Sequence, residues 1–196
     1  MRLVILGGPG AGKGTQARHL CRQLGISEIS TSDILRGAIA SQSELGRQAQ
    51  LYVEKGELVP DPILIEFMRD RLLQDDAKDR GWLLEGYPRT AFQAEELDFL
   101  LDDLEQRLHW AIYLEVPESV MMSRSIERSR VSKSQAFTGE NRLDDHPEIV
   151  QRRLDLFHER TIPILEYYGY RDRLLTINGD QPPEQVQQDI LQKLSV

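Results

Sequence analysis

Residues 2–20 read RLVILGGPGAGKGTQARHL, and the fold follows from how that stretch is parsed. Residues 2–6 (RLVIL) are a short apolar run that stops at glycine, the pattern of a parallel strand buried on both faces. Beyond the glycines, Ala17, Leu20, Cys21 and Leu24 recur at i, i+3, i+4 and i+7 and mark one face of a helix. Strand, glycine-rich turn and helix start form the setting in which a loop cradles phosphates. Gly7, Gly10 and Gly12 let backbone N–H groups turn inward with no Cβ in the way. A helix beginning near Lys13 adds its positive end. Lys13 brings a formal charge for β- and γ-phosphates, and the Thr15 hydroxyl suits a phosphate or a Mg²⁺-bound water. The general pattern G-x-x-x-x-G-K-[ST] fits Gly7, Gly12 and Lys13, then meets Gly14 where a hydroxyl residue belongs. The hydroxyl arrives one position late, at Thr15. The stretch predicts nucleoside triphosphate binding and leaves the phosphate acceptor open.

Outward from this loop, strand-like and helix-like patterns alternate to the end of the chain. Residues 27–31, 81–86, 110–116 and 174–178 read as further strands. Helices are predicted after Ser32, over 43–56, and from Asp61, a helix cap, with Pro62 in the first turn. Another runs through Gln93, Leu97, Leu100, Leu101 and Leu104. Two follow over 117–130 and 147–168, the second kinked or interrupted by Pro163. A last helix runs through Val186, Ile190 and Leu194. Five strands, each followed by helix, predict a three-layer α/β fold around a five-stranded parallel sheet. The polar stretch 130–142 reads as a mobile surface loop.

Composition bounds the function. The 196 residues suit one domain, and 40% hydrophobic with 29% charged is ordinary for a soluble protein. No apolar run is long enough to span a bilayer, and the N-terminus lacks a secretory pattern. The lone Cys21 excludes an internal disulfide and a multi-cysteine zinc site, and reads as a small buried hydrophobe. A net charge of −8 with no basic run argues against a nucleic-acid polymer as partner. Together these point to the cytoplasm. The four histidines have no metal-ligand partners at suitable spacing.

The loop GGPGAGKGT, with its extra Gly14, resembles the G-x-P-G-x-G-K-G-T of the adenylate kinases, within the nucleoside monophosphate kinase family. The resemblance covers essentially the whole chain. It implies one core domain over 1–196, with mobile insertions at 30–59 for the monophosphate and near 129–141 as a lid. ISTSDILR (29–36) is similar to I-S-T-G-D-[ML]-L-R, which implies Thr31 near the adenine of AMP and Arg36 on its phosphate. GELVP (56–60) implies Glu57, Leu58 and Val59 beside the base. LLEGYPRTAFQ (83–93) is similar to L-x-D-G-[FY]-P-R-x-x-x-Q. It implies Arg89 at the AMP phosphate, Gly86, Tyr87 and Pro88 among the AMP-binding residues, and Gln93 at the adenine edge. On the ATP side the resemblance implies Gly10, Ala11, Gly12, Lys13, Gly14 and Thr15, with Arg124 and Arg128. It places Gly179 and Gln181 where backbone meets the ATP base. Arg142 and Arg153 match arginines that span both phosphate chains. The implied activity is reversible transfer of a phosphoryl group from Mg²⁺-ATP to AMP, giving two ADP, by a monomer without structural zinc. Residues 143–145 (LDD) are read as capping and ion-pairing residues rather than metal ligands.

The residue types suit that chemistry independently. Phosphoryl transfer between two nucleotides crowds negative charge into a small volume, and planar guanidinium groups hold phosphate oxygens in pairs. The acceptor oxygen is already ionised, so positioning and electrostatics carry the reaction.

Three departures from the family pattern stand out. Ser32 replaces a glycine and suits a cap. Glu85 replaces the Asp associated with water-bridged Mg²⁺, moving the carboxylate by about 1.5 Å and implying lower turnover. The lid is short, since only residues 129–141 separate Arg128 from Arg142. A UMP/CMP kinase on the same fold is the nearest rival, with Ala and Asn typical at positions 31 and 93, so Thr31 and Gln93 favour AMP. A phosphate-loop regulatory module would explain Lys13 but not the later arginines, and no guanine-reading N-K-x-D is present.

Overall fold

The computed structural model describes residues 1–134 and 146–194, with side chains described up to 128 in the first stretch. Strands β1 (Arg2–Leu6), β2 (Ser27–Ser30), β3 (Trp82–Glu85), β4 (Trp110–Glu115) and β5 (Leu174–Asn178) fall within the stretches that the sequence predicts as strands. They pair in the order β2-β3-β1-β4-β5, every pairing parallel. β1 is therefore central, and the chain lays β2 and β3 on one side of it before β4 and β5 on the other. Such a reversal opens a crevice at the carboxyl ends of the strands. The register sets Ile5, Glu85 and Ser30 in one row at that end.

The helices are α1 (Lys13–Leu24), α2 (Thr31–Ala40), α3 (Glu44–Glu54), α4 (Asp61–Leu72), α5 (Asp75–Arg80), α6 (Ala91–Asp103), α7 (Glu118–Ser134), α8 (Pro147–Leu156), α9 (Ile162–Gly169) and α10 (Pro183–Leu194). Strand alternation sorts them into two layers. Val4, Leu6, Leu84 and Ala111 face a core built with α4, α6 and α9. Leu3, Ile5, Leu83 and Ile112 face one built with α1, α7, α8 and α10. Each buried Leu or Ile contributes about 1.5–3 kcal/mol, so these layers hold rigid the sheet edge from which the site loops hang. Cys21 is buried in the second layer, and burial pushes its thiol up to about 12. It stays protonated and packs as a hydrophobe.

The structure corrects several expectations. α5 has no counterpart in the sequence reading because its residues DDAKDR bury only Ala77 and carry no apolar period. Asp61 is not the cap of α4 but its first residue, after Pro60, and its carboxylate accepts from Gln93 Nε2 (2.7 Å) and Thr90 Oγ1 (3.3 Å). Ser30, not Ser32, caps α2 by accepting from the Asp33 amide, while Ser32 lies within the helix. α7 continues to Ser134, past the expected end at 130, since no Gly or Pro intervenes to stop it. The rest of the expected lid, with Arg142 and residues 143–145, lies outside the described residues. Pro163 does interrupt its helix. A π-helical turn, Phe157–Thr161, joins α8 to α9, and the Ile162 amide bonds back to the Phe157 carbonyl. Proline lacks the amide that would have continued the i→i−4 ladder.

Candidate active site

The loop after β1 is pressed against α7. Gly10 has φ +81°, and a Cβ there would lie 2.2 Å from the Met121 carbonyl oxygen. No other residue keeps that approach. Gly12, at φ 94°, ends the loop as the N-cap residue of α1. Lys13 Nζ folds under the loop and donates to the Gly8 carbonyl at 2.9 Å. Burial pulls the ammonium down to about 8, and the guanidinium groups of Arg89, Arg153 and Arg128 pull the same way against Glu85.

The direction has a consequence for ligand binding. Above about pH 8 the free protein loses the Lys13 proton, whereas a bound polyphosphate favours the charged form. Nucleotide binding should therefore take up a proton as pH rises through that value, and affinity should fall on the alkaline side. Titration calorimetry at pH 8.5 in two buffers of different ionisation enthalpy should show roughly half a proton or more taken up per ATP. Lys13→Arg, charged throughout, should abolish the uptake.

Two clefts open at the carboxyl ends of the strands. One is walled by Leu35, Val53, Gly56, Glu57, Leu58, Gly86, Pro88, Arg89 and the π-turn residues Phe157 and Thr161. The other is walled by Gly10, Gly12, Gly14, Thr15, Arg18, Glu28 and Arg128. They meet at one place. Pro9, Lys13, Ser32, Arg36, Glu85 and Arg153 line both. The strand register explains part of this, because Ser30, Glu85 and the end of β1 are neighbours, and Ser30 Oγ donates to Glu85 Oε2 at 3.0 Å. Arg36 is paired with Asp33 one helical turn back. Arg89 is fixed along its length: Nε donates to the Gly86 carbonyl (2.7 Å), Nη2 reaches Ser32 Oγ (3.4 Å), and Thr161 Oγ1 donates to its carbonyl (2.9 Å). Two walled spaces with a cationic junction fit two anionic ligands whose charged ends meet.

The family model for adenylate kinase matches residues 5–173. Adenylate kinase 2 of Nostoc sp. is 63% identical over all of both chains. Adenylate kinase 2 of Synechocystis sp. is 51% identical over 99% of this chain and all of the relative. The adenylate kinase of Caldicellulosiruptor saccharolyticus is 41% identical, with both chains fully covered. The chain belongs to the adenylate kinase family. It is a nucleoside monophosphate kinase, an ATP:AMP phosphotransferase.

Not every expected residue of this adenylate kinase reaches a cleft wall. Ala11 is buried beneath the loop, and Val59 and Tyr87 are core residues. Thr31 is 1% exposed with its hydroxyl unpartnered, and Gln93 is 0% exposed with its amide engaged by protein groups. Arg124 lies over the Gly179 carbonyl (3.0 Å) and beside Asp180 (3.6 Å), away from the junction. Gln181 donates to Asp189 at 2.6 Å.

Other residues enter that the sequence reading did not assign. Phe157 and Thr161 arrive through the π turn, for which Pro163 is the visible signal, and Leu156 at the end of α8. Arg152 pairs in two-pronged fashion with Glu57 (2.8 and 3.1 Å), tying the wall of the first cleft to α8. A Cβ on Gly56 would lie 2.8 Å from Ile149 Cγ2, so backbone and α8 touch there. Glu28 lines the second cleft with its carboxyl pushed up, chiefly by burial.

Proposed function

We propose that the first cleft takes AMP and the second takes the phosphates of ATP, the two phosphate chains meeting over Lys13. The observation that carries this reading is the set of six residues shared by both clefts, three of them cationic. In this assignment Arg36 and Arg89 hold the AMP phosphate, and Arg153 with Arg142 spans the junction. Arg124 and Arg128 serve the ATP side. The backbone of Gly10, Ala11, Gly12, Gly14 and Thr15 cradles the β-phosphate, and Gly179 and Gln181 flank the ATP base. Glu57, Leu58, Val59, Gly86, Tyr87 and Pro88 shape the AMP side, and Thr31 and Gln93 read its base. Residues 30–59 form the AMP-binding insertion and 129–141 the lid of one core domain. A closed lid would keep water from accepting the phosphoryl group.

An oxygen of the AMP phosphate attacks the γ-phosphorus as the bond to the β–γ bridging oxygen breaks. Each nucleotide then leaves as ADP. No base is required, because the attacking oxygen is already ionised, and the cations offset the charge that gathers between the two chains.

The donor set suits hydrated Mg²⁺. The Glu85 carboxylate, the Thr15 hydroxyl and Glu28 offer only oxygen at the second cleft. Among the described residues no group of three or more His, Cys, Asp or Glu is placed to cage an ion. An ion held mainly by phosphate and water, with Glu85 contacting it through water, matches Mg²⁺ preferences. When bound, Mg²⁺ neutralises donor phosphate charge. Glu85→Asp should raise kcat by several-fold, since an error of about 1 Å in such a contact costs up to ~10² in rate. An unchanged or lower kcat would remove the carboxylate's reach as a limit on turnover.

No described helix is long and apolar enough to cross a membrane. The proposal is completed by a monomer in the cytoplasm, where its nucleotides are. Mixing the protein and Mg²⁺-ATP with AMP, CMP, UMP, GMP or dTMP separately tests the acceptor. Fast ADP formation with AMP alone is expected. Preference for CMP or UMP would overturn the roles given to Thr31 and Gln93.

A further inference from the structure

Gln93 is the most completely held polar side chain near the AMP cleft. It is 0% exposed. Its Nε2 donates to Asp61 Oδ1 at 2.7 Å, and its Oε1 accepts from the Arg89 backbone N–H at 2.8 Å. The second Asp61 oxygen accepts from Thr90 Oγ1 at 3.3 Å, and the same hydroxyl accepts from the Gln93 backbone N–H at 3.1 Å. The amide thus lies between a group that only accepts and a group that only donates. A carboxamide is nearly symmetric in shape, so nothing in its packing chooses between its two orientations. Asp61 and the Arg89 amide do choose. The flipped form would set Oε1 against a carboxylate and Nε2 against an N–H, leaving buried groups unpaired.

We propose that Asp61 is a specificity-determining positioning residue, which fixes the Gln93 amide in the orientation that accepts a 6-amino purine and rejects a 6-oxo purine. The inference rests on the reading that Gln93 meets the base of AMP, for which the residues that cover its amide in this structure must part as the base enters. In the fixed orientation one Nε2 hydrogen and one Oε1 lone pair remain. Adenine presents the complement, an acceptor at N1 and a donor at N6. A 6-oxo purine presents the reverse, a donor at N1 and an acceptor at O6, so both contacts become like against like. The α4 residue therefore acts on the substrate through an α6 residue.

The test compares AMP with inosine monophosphate, which differs at just these two positions, as acceptors with saturating Mg²⁺-ATP. In Asp61→Asn the asparagine amide can turn either way, so a flipped Gln93 meets a partner there and only the Arg89 backbone N–H still opposes the flip. The ratio of kcat/KM for AMP over inosine monophosphate should fall roughly 10- to 100-fold, with the KM for ATP unchanged. A purely structural role would lower both acceptors in parallel and leave the ratio fixed, and that result overturns the proposal. Should Asp61→Asn fail to fold, the double variant Asp61→Asn with Gln93→Glu restores a donor–acceptor pair. It leaves acceptors towards both base positions, so each purine keeps one matched and one opposed contact, and the ratio should collapse towards unity; an undiminished ratio overturns the proposal. Gln93→Leu separates the two levels. If it leaves the ratio unchanged, Gln93 does not read the base and the inference falls with that reading. If it collapses the ratio while Asp61→Asn does not, the role of Asp61 alone is refuted.

Discussion

Replacing Arg89 with alanine is expected to lower kcat by about 10³-fold, the scale on which a guanidinium serves a transferring phosphoryl group. Its geometry makes the expectation specific. Gly86, Ser32 and Thr161 fix the residue at its Nε, Nη2 and carbonyl, so the guanidinium enters the first cleft with little freedom left to lose. The orientation is set before the substrate arrives, which is what makes a charge effective in the transition state. KM for AMP should rise as well, while KM for ATP stays within about twofold, because Arg89 lines only the first cleft among the two. Arg89→Lys should recover part of the rate, since an ammonium supplies charge without paired donors. Steady-state kinetics on both variants, with thermal unfolding as a control, checks this. A loss confined to KM for AMP would make Arg89 a ground-state binder only.

Lys13→Met should reduce kcat by about 10²–10³-fold and affect both nucleotides. Methionine keeps a flexible apolar stem of similar length, so the loop loses the ammonium rather than its packing. Lys13 lines both clefts and donates to Gly8 within the loop. Its removal takes away the charge at the junction of the two clefts, where the proposed phosphate chains meet, and leaves the Gly8 carbonyl without that donor. The contrast with Arg89 lies in the pattern. Lys13→Met should raise KM for both nucleotides, and Arg89→Ala for AMP alone. Equal patterns in the two variants would show that the clefts are not assigned as described.

Much of this arrangement is legible in the sequence because its signals are local. An apolar run ending in glycine marks β1, and the glycines and Lys13 follow within one loop. Ser30 and Glu85 belong to motifs readable one at a time, although only the parallel register makes them neighbours. Asp61 shows the limit of local reading. Beside Pro62 it has the features of a helix cap, yet its carboxylate turns to Gln93 and Thr90 at the start of α6. The partner lies 32 positions along the chain, so no spacing rule finds it. Arg152 is similar, an ordinary surface arginine by sequence whose pairing with Glu57 depends on where α8 settles. α5 was missed for the opposite reason, being too short and charged to show a period. Pro163 announced a break but not its form, and the π turn it produces delivers Phe157 and Thr161 to the cleft.

In the proposed function two nucleotides lie head to head with their phosphates over Lys13. A crystal structure with Mg²⁺-ADP on one side and ADP on the other tests it most directly. One ADP is expected on the loop of Gly10 to Thr15, the other with its α-phosphate at Arg36 and Arg89, and Lys13 between the facing β-phosphates. A second ADP bound elsewhere, with Arg36 and Arg89 touching no phosphate, would contradict it.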